Sequence, residues 1–222
     1  MTCPICHGDF QVTGEHEVYR ICPCGETVKD HTGNWFRIAH IHQNYIGGAE
    51  GAAVEFAKTC GDGTFIDVGA NRGQWSLLFR DQFKQIISFE PEPVNFLTLQ
   101  AVTKPYSWIT PFNLAVSDKR EQKTLYLFHD STQLHNLLGG TNGRVEVQCV
   151  PLYDYLTGPV DLVKVDAEGY EGQVISGCRD RIRQVKHWIL EKHLNQNHEP
   201  LLTSLGYDVS PNSNGWFATL KE

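Results

Sequence analysis

Two acidic residues close neighbouring apolar runs in the first half of the chain, and a glycine turn follows the first of them. Asp67 is the acidic residue near the end of the apolar run at residues 65–68. The turn at Gly69 follows this run, and a helical pattern begins soon afterwards. Glu90 closes the second run, 21 residues after Gly69. An acid at this distance, at the end of the next strand, commonly binds the ribose hydroxyls of a nucleotide-like ligand. The pattern therefore predicts a strand, a ligand-binding loop and a ribose anchor in one site.

The composition of the glycine turn indicates which ligand it accepts. A dinucleotide-binding loop has a middle glycine that allows the backbone to approach a pyrophosphate. Here Ala70 and Asn71 occupy the region between Gly69 and Gly73, so that glycine is absent. We therefore expect a ligand with a ribose and no pyrophosphate, and S-adenosylmethionine is the common one. A glycine turn without any ligand role, which a doubly wound protein can also contain, is the alternative.

Composition and charge restrict the class of protein. The 222 residues suffice for one full domain and a small appendage, and 41% hydrophobic with 20% charged residues is typical of a compact fold. The formal net charge of −7 argues against a nucleic-acid partner, which requires a basic face. No apolar run approaches the roughly 18 residues of a membrane span, and the N-terminus lacks the blocks of a signal peptide. We therefore expect a cytoplasmic protein without a membrane partner.

Four of the seven cysteines lie in the first 24 residues, as the pairs Cys3 and Cys6, then Cys22 and Cys24. Four thiolates around zinc form a closed, structural site, which would stabilise a segment too short to bury a core. We therefore interpret residues 1–33 as a zinc-ribbon-like segment built on a hairpin, and residues 34–222 as the main domain. The second pair is one residue closer than the usual Cys-x-x-Cys, so a histidine can replace one sulfur. The candidates are His7, His16 and His31, and unligated thiols are the alternative.

Strand and helix patterns alternate through the main domain. Helices are predicted at residues 49–60, 74–79, 94–102, 170–176 and 200–205. Strands are predicted at residues 65–68, 86–89, 108–113, 161–166, 187–191, 207–210 and 216–220. Residues 124–128 and 145–151 alternate as a two-stranded insertion. Such alternation predicts an α/β fold with a mainly parallel sheet and helices on both faces. Ligands bind beyond the carboxyl ends of these strands; the acidic and amide residues there are Asp67, Glu90, Asn113, Asp166 and Glu191.

These residues occur in blocks that resemble a known family. The blocks are residues 67–71, 89–91, 113–118, 164–171 and 189–191, and the most specific is the one containing Asp166, Glu168, Gly169 and Glu171. Over about residues 49–210 the chain resembles the FkbM family of S-adenosylmethionine-dependent methyltransferases. The resemblance implies a Rossmann-like class I methyltransferase fold with a seven-stranded sheet. It also implies O-methylation of a hydroxyl on a small molecule, sugar or glycan.

The resemblance and the strand-end pattern together give the expected cofactor contacts. The loop with Gly69 and Gly73 would approach the methionine part, and Asp67 would lie near its ammonium group. Glu90 would accept both ribose hydroxyls. The full set of expected cofactor-binding residues is Asp67, Gly69, Asn71, Gly73, Glu90, Asn113 and Ala115, the last two bordering the adenine.

The candidates for catalysis are Asp166, Glu168 and His193. A carboxylate pair at the end of a strand can raise one pKa and produce a base, and a histidine can act as a base near neutral pH. The alternatives are that Glu168 or Glu171 caps the following helix and that His193 is an exposed loop residue. A divalent cation bound by Asp166 and Glu168 stays open, because no third ligand is obvious. The insertion offers further acceptor-pocket candidates, which are His129, Asp130, Ser131, His135 and Asn136.

Two other functions compete with O-methylation. One is a non-catalytic adenosylmethionine-binding module that docks a partner through the zinc ribbon; the other is an RNA or protein methyltransferase that uses the ribbon to read its substrate. The presence of Asp67, Glu90 and the block at residues 166–171 argues against a non-catalytic module. The acidic charge, and the lack of an Asn-Pro-Pro-Tyr-type motif, argue against nucleic acid. Neither the acceptor nor the oligomeric state is predicted.

Overall fold

The computed structural model describes residues 50–127, 137, 143–193 and 196–221, together with the backbone of four short strands before them. Those strands are β1 (Gln11–Val12), β2 (Arg20–Ile21), β3 (Thr27–Lys29) and β4 (Trp35–Arg37), which form an antiparallel sheet in that order. The antiparallel pairing of β1 with β2 is what the expected hairpin requires. The four N-terminal cysteines and the three alternative histidines lie outside the described residues.

Ten further strands, in two sheets, are described in the main domain. They are β5 (Thr64–Val68), β6 (Gln85–Phe89), β7 (Ile109–Phe112), β8 (Ala115–Ser117), β9 (Glu121–Tyr126), β10 (Arg144–Pro151), β11 (Val160–Val165), β12 (Val185–Glu191), β13 (Tyr207–Asn212) and β14 (Gly215–Leu220). Seven of them form one sheet in the order β13-β14-β12-β11-β5-β6-β7, in which β14 runs antiparallel to the other six strands. The predicted seven-stranded, mainly parallel sheet is confirmed.

Five α-helices are described in the main domain: α1 (Gly51–Lys58), α2 (Gln74–Leu78), α3 (Pro93–Thr103), α4 (Glu171–Ser176) and α5 (Glu199–Ser204). Two 3-10 helices cover Leu152–Tyr155 and Arg179–Gln184. Helix α3 begins where the sequence predicted, because Pro93 suits a first helical position and the Glu92 side chain accepts the Asn95 N–H at 2.6 Å. In the described part of the chain, no helix is both long and apolar enough to cross a membrane.

The second sheet is small and has the order β8-β10-β9. Strands β9 and β10 form the antiparallel pair that the alternating pattern predicted. The third strand, β8, was not predicted; it has three residues and pairs with β10 in parallel. Its core contains Ala115, Leu125, Val147 and Cys149, all buried.

One face of the large sheet changes from apolar to polar along each central strand. Phe65, Ile86 and Leu162 are buried together with the apolar side of α1. Two residues further on, the same face carries Asp67, Ser88 and Lys164, which are partners in register across β6, β5 and β11. Because side chains alternate between faces with a period of two, this polar row must lie directly above the α1-facing core. The carboxyl end of the sheet therefore begins with buried polar groups.

The turn after β5 fits tightly against the end of β11. Gly69 has a φ of +77°, and a Cβ at this position would lie 1.9 Å from the Asp166 carbonyl oxygen. Only glycine combines this left-handed conformation with so close an approach. The contact joins the glycine loop to the acidic turn that begins at Asp166.

We expect Gly69→Ala to lower the free energy of unfolding by about 3 kcal/mol or more, because it adds backbone strain and a clash with backbone atoms. Gly51→Ala is the control: nothing lies within 4 Å of a Cβ there, and alanine favours a helix over glycine by up to ~1 kcal/mol. Urea denaturation of both variants measures the difference. Equal stability of the two variants would contradict the tight fit at Gly69.

Candidate functional site

A cleft with a free volume of about 250 Å³ lies at the carboxyl ends of the central strands. Most of the predicted site residues line it: Asp67, Gly69, Asn71, Glu90, Ala115, Asp166 and Glu168. Gly73, Asn113 and His193 lie outside this lining. The carboxyl ends of the strands therefore bring most of the predicted site residues together in one cleft.

The Glu90 carboxylate is held at the glycine loop by two backbone donors. Its Oε2 accepts the Asn71 N–H and its Oε1 accepts the Glu92 N–H, both at 2.8 Å. Burial raises the pKa of Glu90 to about 8, although both N–H groups favour the charged form. Each oxygen keeps a second lone pair, so the side chain can accept two hydroxyl groups of a ligand such as a ribose.

Asn113 fixes the backbone that carries Glu90. Its Nδ2 donates to the carbonyl oxygens of Glu90 at 2.9 Å and Pro91 at 3.0 Å. The side chain therefore links the segment after β7 to the segment after β6. This contact accounts for an amide at this position without a direct contact to adenine.

Gly73 shapes the loop through packing. It has a φ of +90° at the start of α2, and its N–H donates to the Ala70 carbonyl at 2.8 Å. A Cβ here would lie 3.0 Å from Leu99 and 3.2 Å from Val102 of α3. The glycine thus closes the turn and lets α2 approach α3.

Asp67 has one carboxylate oxygen in use and one without a partner. Its Oδ2 accepts the Ser76 hydroxyl at 2.6 Å, and Ser76 Oγ lies 2.8 Å from Ser88 Oγ. Its Oδ1 is buried and has no hydrogen-bond partner among the residues that the structure describes. Burial raises the pKa of Asp67, against the opposing charge of Lys164. A buried acceptor without a donor is costly, so this oxygen suits a cationic donor from a ligand in the cleft.

A buried lysine organises the carboxylates at the end of β11. Lys164 Nζ lies 3.1 Å from Asp166 Oδ2. Burial disfavours the ammonium form, but the charges of Asp166 and Asp67 raise its pKa above the usual range. Burial also opposes ionisation of Asp166, yet the neighbouring ammonium group lowers the pKa of this carboxyl. Lys164 and Asp166 therefore form an ion pair at the cleft floor.

Glu191 shares a hydrogen bond with Asp166 from the end of β12. Desolvation and this hydrogen bond raise the pKa of Glu191 to about 9. Since two adjacent carboxyl groups avoid carrying two charges, one proton is retained between them. The contact with the Lys164 ammonium group favours Asp166 as the ionised member of the pair.

Glu168 lies on a left-handed turn beside His193. The backbone φ of Glu168 is +49°, and its Oε2 lies 3.2 Å from His193 Nδ1. Burial, followed by the charges of Asp166 and Glu171, raises the pKa of Glu168 to about 7. The predicted catalytic candidates therefore come together, and Glu168 is poised to exchange a proton near neutral pH.

Glu171 accepts hydrogen bonds from the turn that carries Glu168. Its Oε1 accepts the N–H groups of Ala167 and Gly169, both at 3.2 Å. Glu171 is buried in the first turn of α4, but no side chain caps this helix; Glu171 stabilises the preceding turn and does not take the helix-capping role that the sequence left open. The left-handed conformation at Glu168 is sustained by these two bonds.

The cleft also contains residues that the sequence analysis did not single out. A sequence pattern could have identified Lys164, because it is a lysine within a mainly apolar strand and lies two residues before Asp166. In the sheet it is in register with Asp67. No such pattern identifies Glu50 or Trp75, because their place in the lining depends on how α1 and α2 pack. Tyr170 lines the cleft as well, and its hydroxyl accepts the Lys123 ammonium at 2.7 Å.

Two predictions about metals and the insertion have different outcomes. Among the residues with described side chains, no three His, Cys, Asp or Glu are grouped to hold a metal ion. The described part of the site thus gives no support to a divalent cation at Asp166 and Glu168. The five polar insertion candidates between residues 129 and 136 lie outside the described residues. Leu125 and Leu137, which are described, belong to the apolar part of the cleft lining.

The mainly parallel sheet with helices and a cleft at its carboxyl edge is a Rossmann-like fold, and this fold also occurs in solved methyltransferases. An rRNA methylase from Streptococcus thermophilus is structurally similar, with a TM-score of 0.50 and 7% identity, covering 79% of this chain and 99% of that one. A precorrin-6y C5,15-methyltransferase from Geobacter metallireducens has a TM-score of 0.46 and 14% identity, covering 81% and 92%. No curated protein matches the chain.

The family described as the Methyltransferase FkbM domain matches residues 67–209. The chain belongs to this family, and it is an S-adenosylmethionine-dependent methyltransferase. The resemblance of the sequence blocks to this family is thus confirmed. The match begins at Asp67, so α1 and the N-terminal strands precede it.

We expect Glu90→Ala to weaken the binding of S-adenosylhomocysteine about 30- to 1000-fold. The reason is the loss of two hydrogen bonds to a carboxylate, at ~1.5–3 kcal/mol each before compensation. Isothermal titration calorimetry measures the change, and Glu146→Ala, an exposed residue of β10, is the control. Unchanged affinity in Glu90→Ala would remove Glu90 from the cofactor site.

Proposed function

We propose that the protein transfers a methyl group from S-adenosylmethionine to a hydroxyl group of a small molecule, sugar or glycan. The observation that carries this proposal is the Glu168–His193 pair, 3.2 Å apart, next to the ionised Asp166 in the cleft. An aliphatic hydroxyl must lose its proton as it attacks, so a base near its operating pH is useful. Glu168, with a pKa of about 7, fits that requirement.

The residues of the cleft divide the work between binding and proton transfer. When bound, S-adenosylmethionine supplies a methyl group on a sulfonium sulfur. Glu90 holds the ribose, and the turn at Gly69 lets the backbone lie close to the methionine part. The apolar lining at Leu125 and Leu137 limits the access of water and orients the acceptor.

Proton transfer is assigned to the turn after β11. The acceptor hydroxyl donates a hydrogen bond to Glu168, which takes the proton as the oxygen–methyl bond forms and the bond from sulfur to methyl breaks. His193, in contact with Glu168 Oε2, orients this carboxylate. Asp166 stays ionised through its pair with Lys164. Its negative charge helps to raise the pKa of Glu168, so Glu168 is a stronger base for the proton of the acceptor.

The charge of the cleft favours a hydroxyl acceptor over RNA. Six carboxyl groups line it among the described residues, against a single lysine: Glu50, Asp67, Glu90, Asp166, Glu168 and Glu191 against Lys164. Burial raises the pKa of Glu90 and of Glu191 above neutrality, but a carboxyl group is never a cation in either protonation state. Nucleic-acid binding depends on cationic contacts to phosphates, and this lining opposes them. The structural likeness to an rRNA methylase concerns the fold alone.

We also propose that Cys3, Cys6, Cys22 and Cys24 bind one structural zinc ion. The supporting observation is the four-stranded antiparallel sheet, in which β2 ends at Ile21 and pairs with β3 from Thr27. The second cysteine pair thus lies in the connection between two paired strands, where zinc ribbons carry such ligands. Such a site would stabilise the segment, and it leaves a docking role for the segment open.

We expect transfer from a methyl-labelled donor to a hydroxyl compound, found by screening extracts and then identifying the labelled product. With that acceptor, the rate should rise with pH through about 7, because Glu168 must lose its own proton before it can act as a base. Glu168→Gln should remove this dependence and slow transfer by about 10²–10⁴-fold.

The same variant provides its own control. S-adenosylhomocysteine affinity should stay within about twofold, because Glu168 is assigned to the acceptor side. Full activity in Glu168→Gln would remove the residue from the mechanism. Label that appears in RNA or protein and in no hydroxyl compound would contradict the proposed substrate class.

Metal analysis of the purified protein should give about one zinc ion per chain. Replacement of Cys3 and Cys6 by serine together should abolish this zinc, whereas replacement of Cys60, which is buried in the main domain, should leave it unchanged. Folded, metal-free wild-type protein would overturn the zinc proposal.

A further inference from the structure

Glu50 lines the cleft although it lies upstream of the family-matched residues 67–209. It immediately precedes α1, and its carbonyl accepts the Val54 N–H at 3.0 Å. Its side chain makes no capping hydrogen bond to the helix. Its Oε2 instead accepts the indole N–H of Trp75 at 3.4 Å, a long contact that leaves the carboxylate able to bind a further donor.

The position of Glu50 is fixed by the core beneath it. Ala53, Val54 and Ala57 of α1 are buried in the same cluster as Phe65. Phe56 of α1 packs against the edge of this cluster, where it stacks on Phe217 with 4.5 Å between the ring centroids. A helix held on this face of the sheet presents its first turn to the polar ends of β5 and β11.

The charges near Glu50 are unbalanced. Lys164 is the cation of this region, and its ammonium group is hydrogen-bonded to Asp166. Asp67 keeps one buried oxygen without a partner in the described part of the chain, and the Glu50 carboxylate adds a further negative charge close enough to act on Lys164. A cationic donor in the cleft would satisfy both remaining carboxylates.

The strand order places this region opposite the ribose anchor. Strand β5 lies between β6, which Glu90 follows, and β11, which carries Lys164. A nucleoside held at Glu90 therefore directs its other end across the Gly69 turn toward Glu50 and Asp67. In S-adenosylmethionine that end is an amino acid, whose ammonium group is the cationic donor this region lacks.

We propose that Glu50 is a second anchor for the ammonium group of the cofactor's methionine part, beside Asp67, which is already expected there from the sequence. The helix that precedes the family-matched residues then completes the cofactor site, and the family-matched span lacks one of its anchors. This inference rests on the proposed function only in that it requires the same cofactor.

A pair of ligands tests this inference without any acceptor. S-adenosylhomocysteine carries the amino-acid end, whereas 5′-methylthioadenosine has the same nucleoside and sulfur without ammonium or carboxylate. By calorimetry, Glu50→Gln should weaken S-adenosylhomocysteine about tenfold and leave 5′-methylthioadenosine within twofold. Glu50→Gln retains an oxygen that can accept from Trp75, and Glu55→Gln, an exposed residue of α1 paired with Lys58, is the matched control that should change neither affinity.

Several outcomes would overturn this inference. Unchanged or tighter binding of S-adenosylhomocysteine by Glu50→Gln would show that no ammonium group contacts Glu50. An equal loss for both ligands would assign Glu50 to the nucleoside or to the shape of the cleft. Wild-type protein that binds neither ligand would overturn both the proposed function and this inference. The first two results differ from it, because in them the wild-type protein still binds the ligands and only the role of Glu50 is overturned.

Discussion

A buried ammonium group at the end of a central strand is the interaction on which the site depends. Lys164 lies in register with Asp67 and contacts Asp166, so one cation links the glycine-loop strand β5 to the acidic strand β11. Removing one member of such a cluster leaves a charge without compensation, at a cost of several kcal/mol. The chain can therefore concentrate carboxylates at this edge because Lys164 balances part of their charge.

The polar end of the sheet follows from the packing of its apolar end. The α1-facing row of Phe65 and Leu162 requires that Asp67 and Lys164 point to the same side two residues later. The left-handed Gly69 then brings the loop against the Asp166 carbonyl. The glycine loop and the turn that begins at Asp166 are thus in direct contact, and their relative position is set by the register of β5 and β11.

Much of this was predictable from sequence, because apolar runs that end in acids mark both the strands and the crevice. Glu90 and Asp166 were found in this way. The indirect roles of Gly73 and Asn113 were not, since they depend on the approach of α3 and on the backbone after β6. Strand β8 was missed because its three residues carry too little pattern.

The surroundings of Glu168 were also beyond what sequence patterns can predict. His193 was a candidate by type and position, but its contact with Glu168 depends on a left-handed turn that no local pattern shows. Glu50 had no signal at all, because a residue before a helix enters the cleft only through the packing of that helix. Local patterns therefore predicted the strand ends, and tertiary contacts determined which further side chains reach them.

The central claim is that the cleft holds a nucleoside by its ribose at Glu90, with the sulfur directed toward the turn at Asp166. A crystal structure of the protein with S-adenosylhomocysteine tests it most directly. We expect both ribose hydroxyls to lie within hydrogen-bond distance of the Glu90 carboxylate and the sulfur to face Asp166 and Glu168. A ligand bound elsewhere, or a ribose that makes no contact with Glu90, would contradict it.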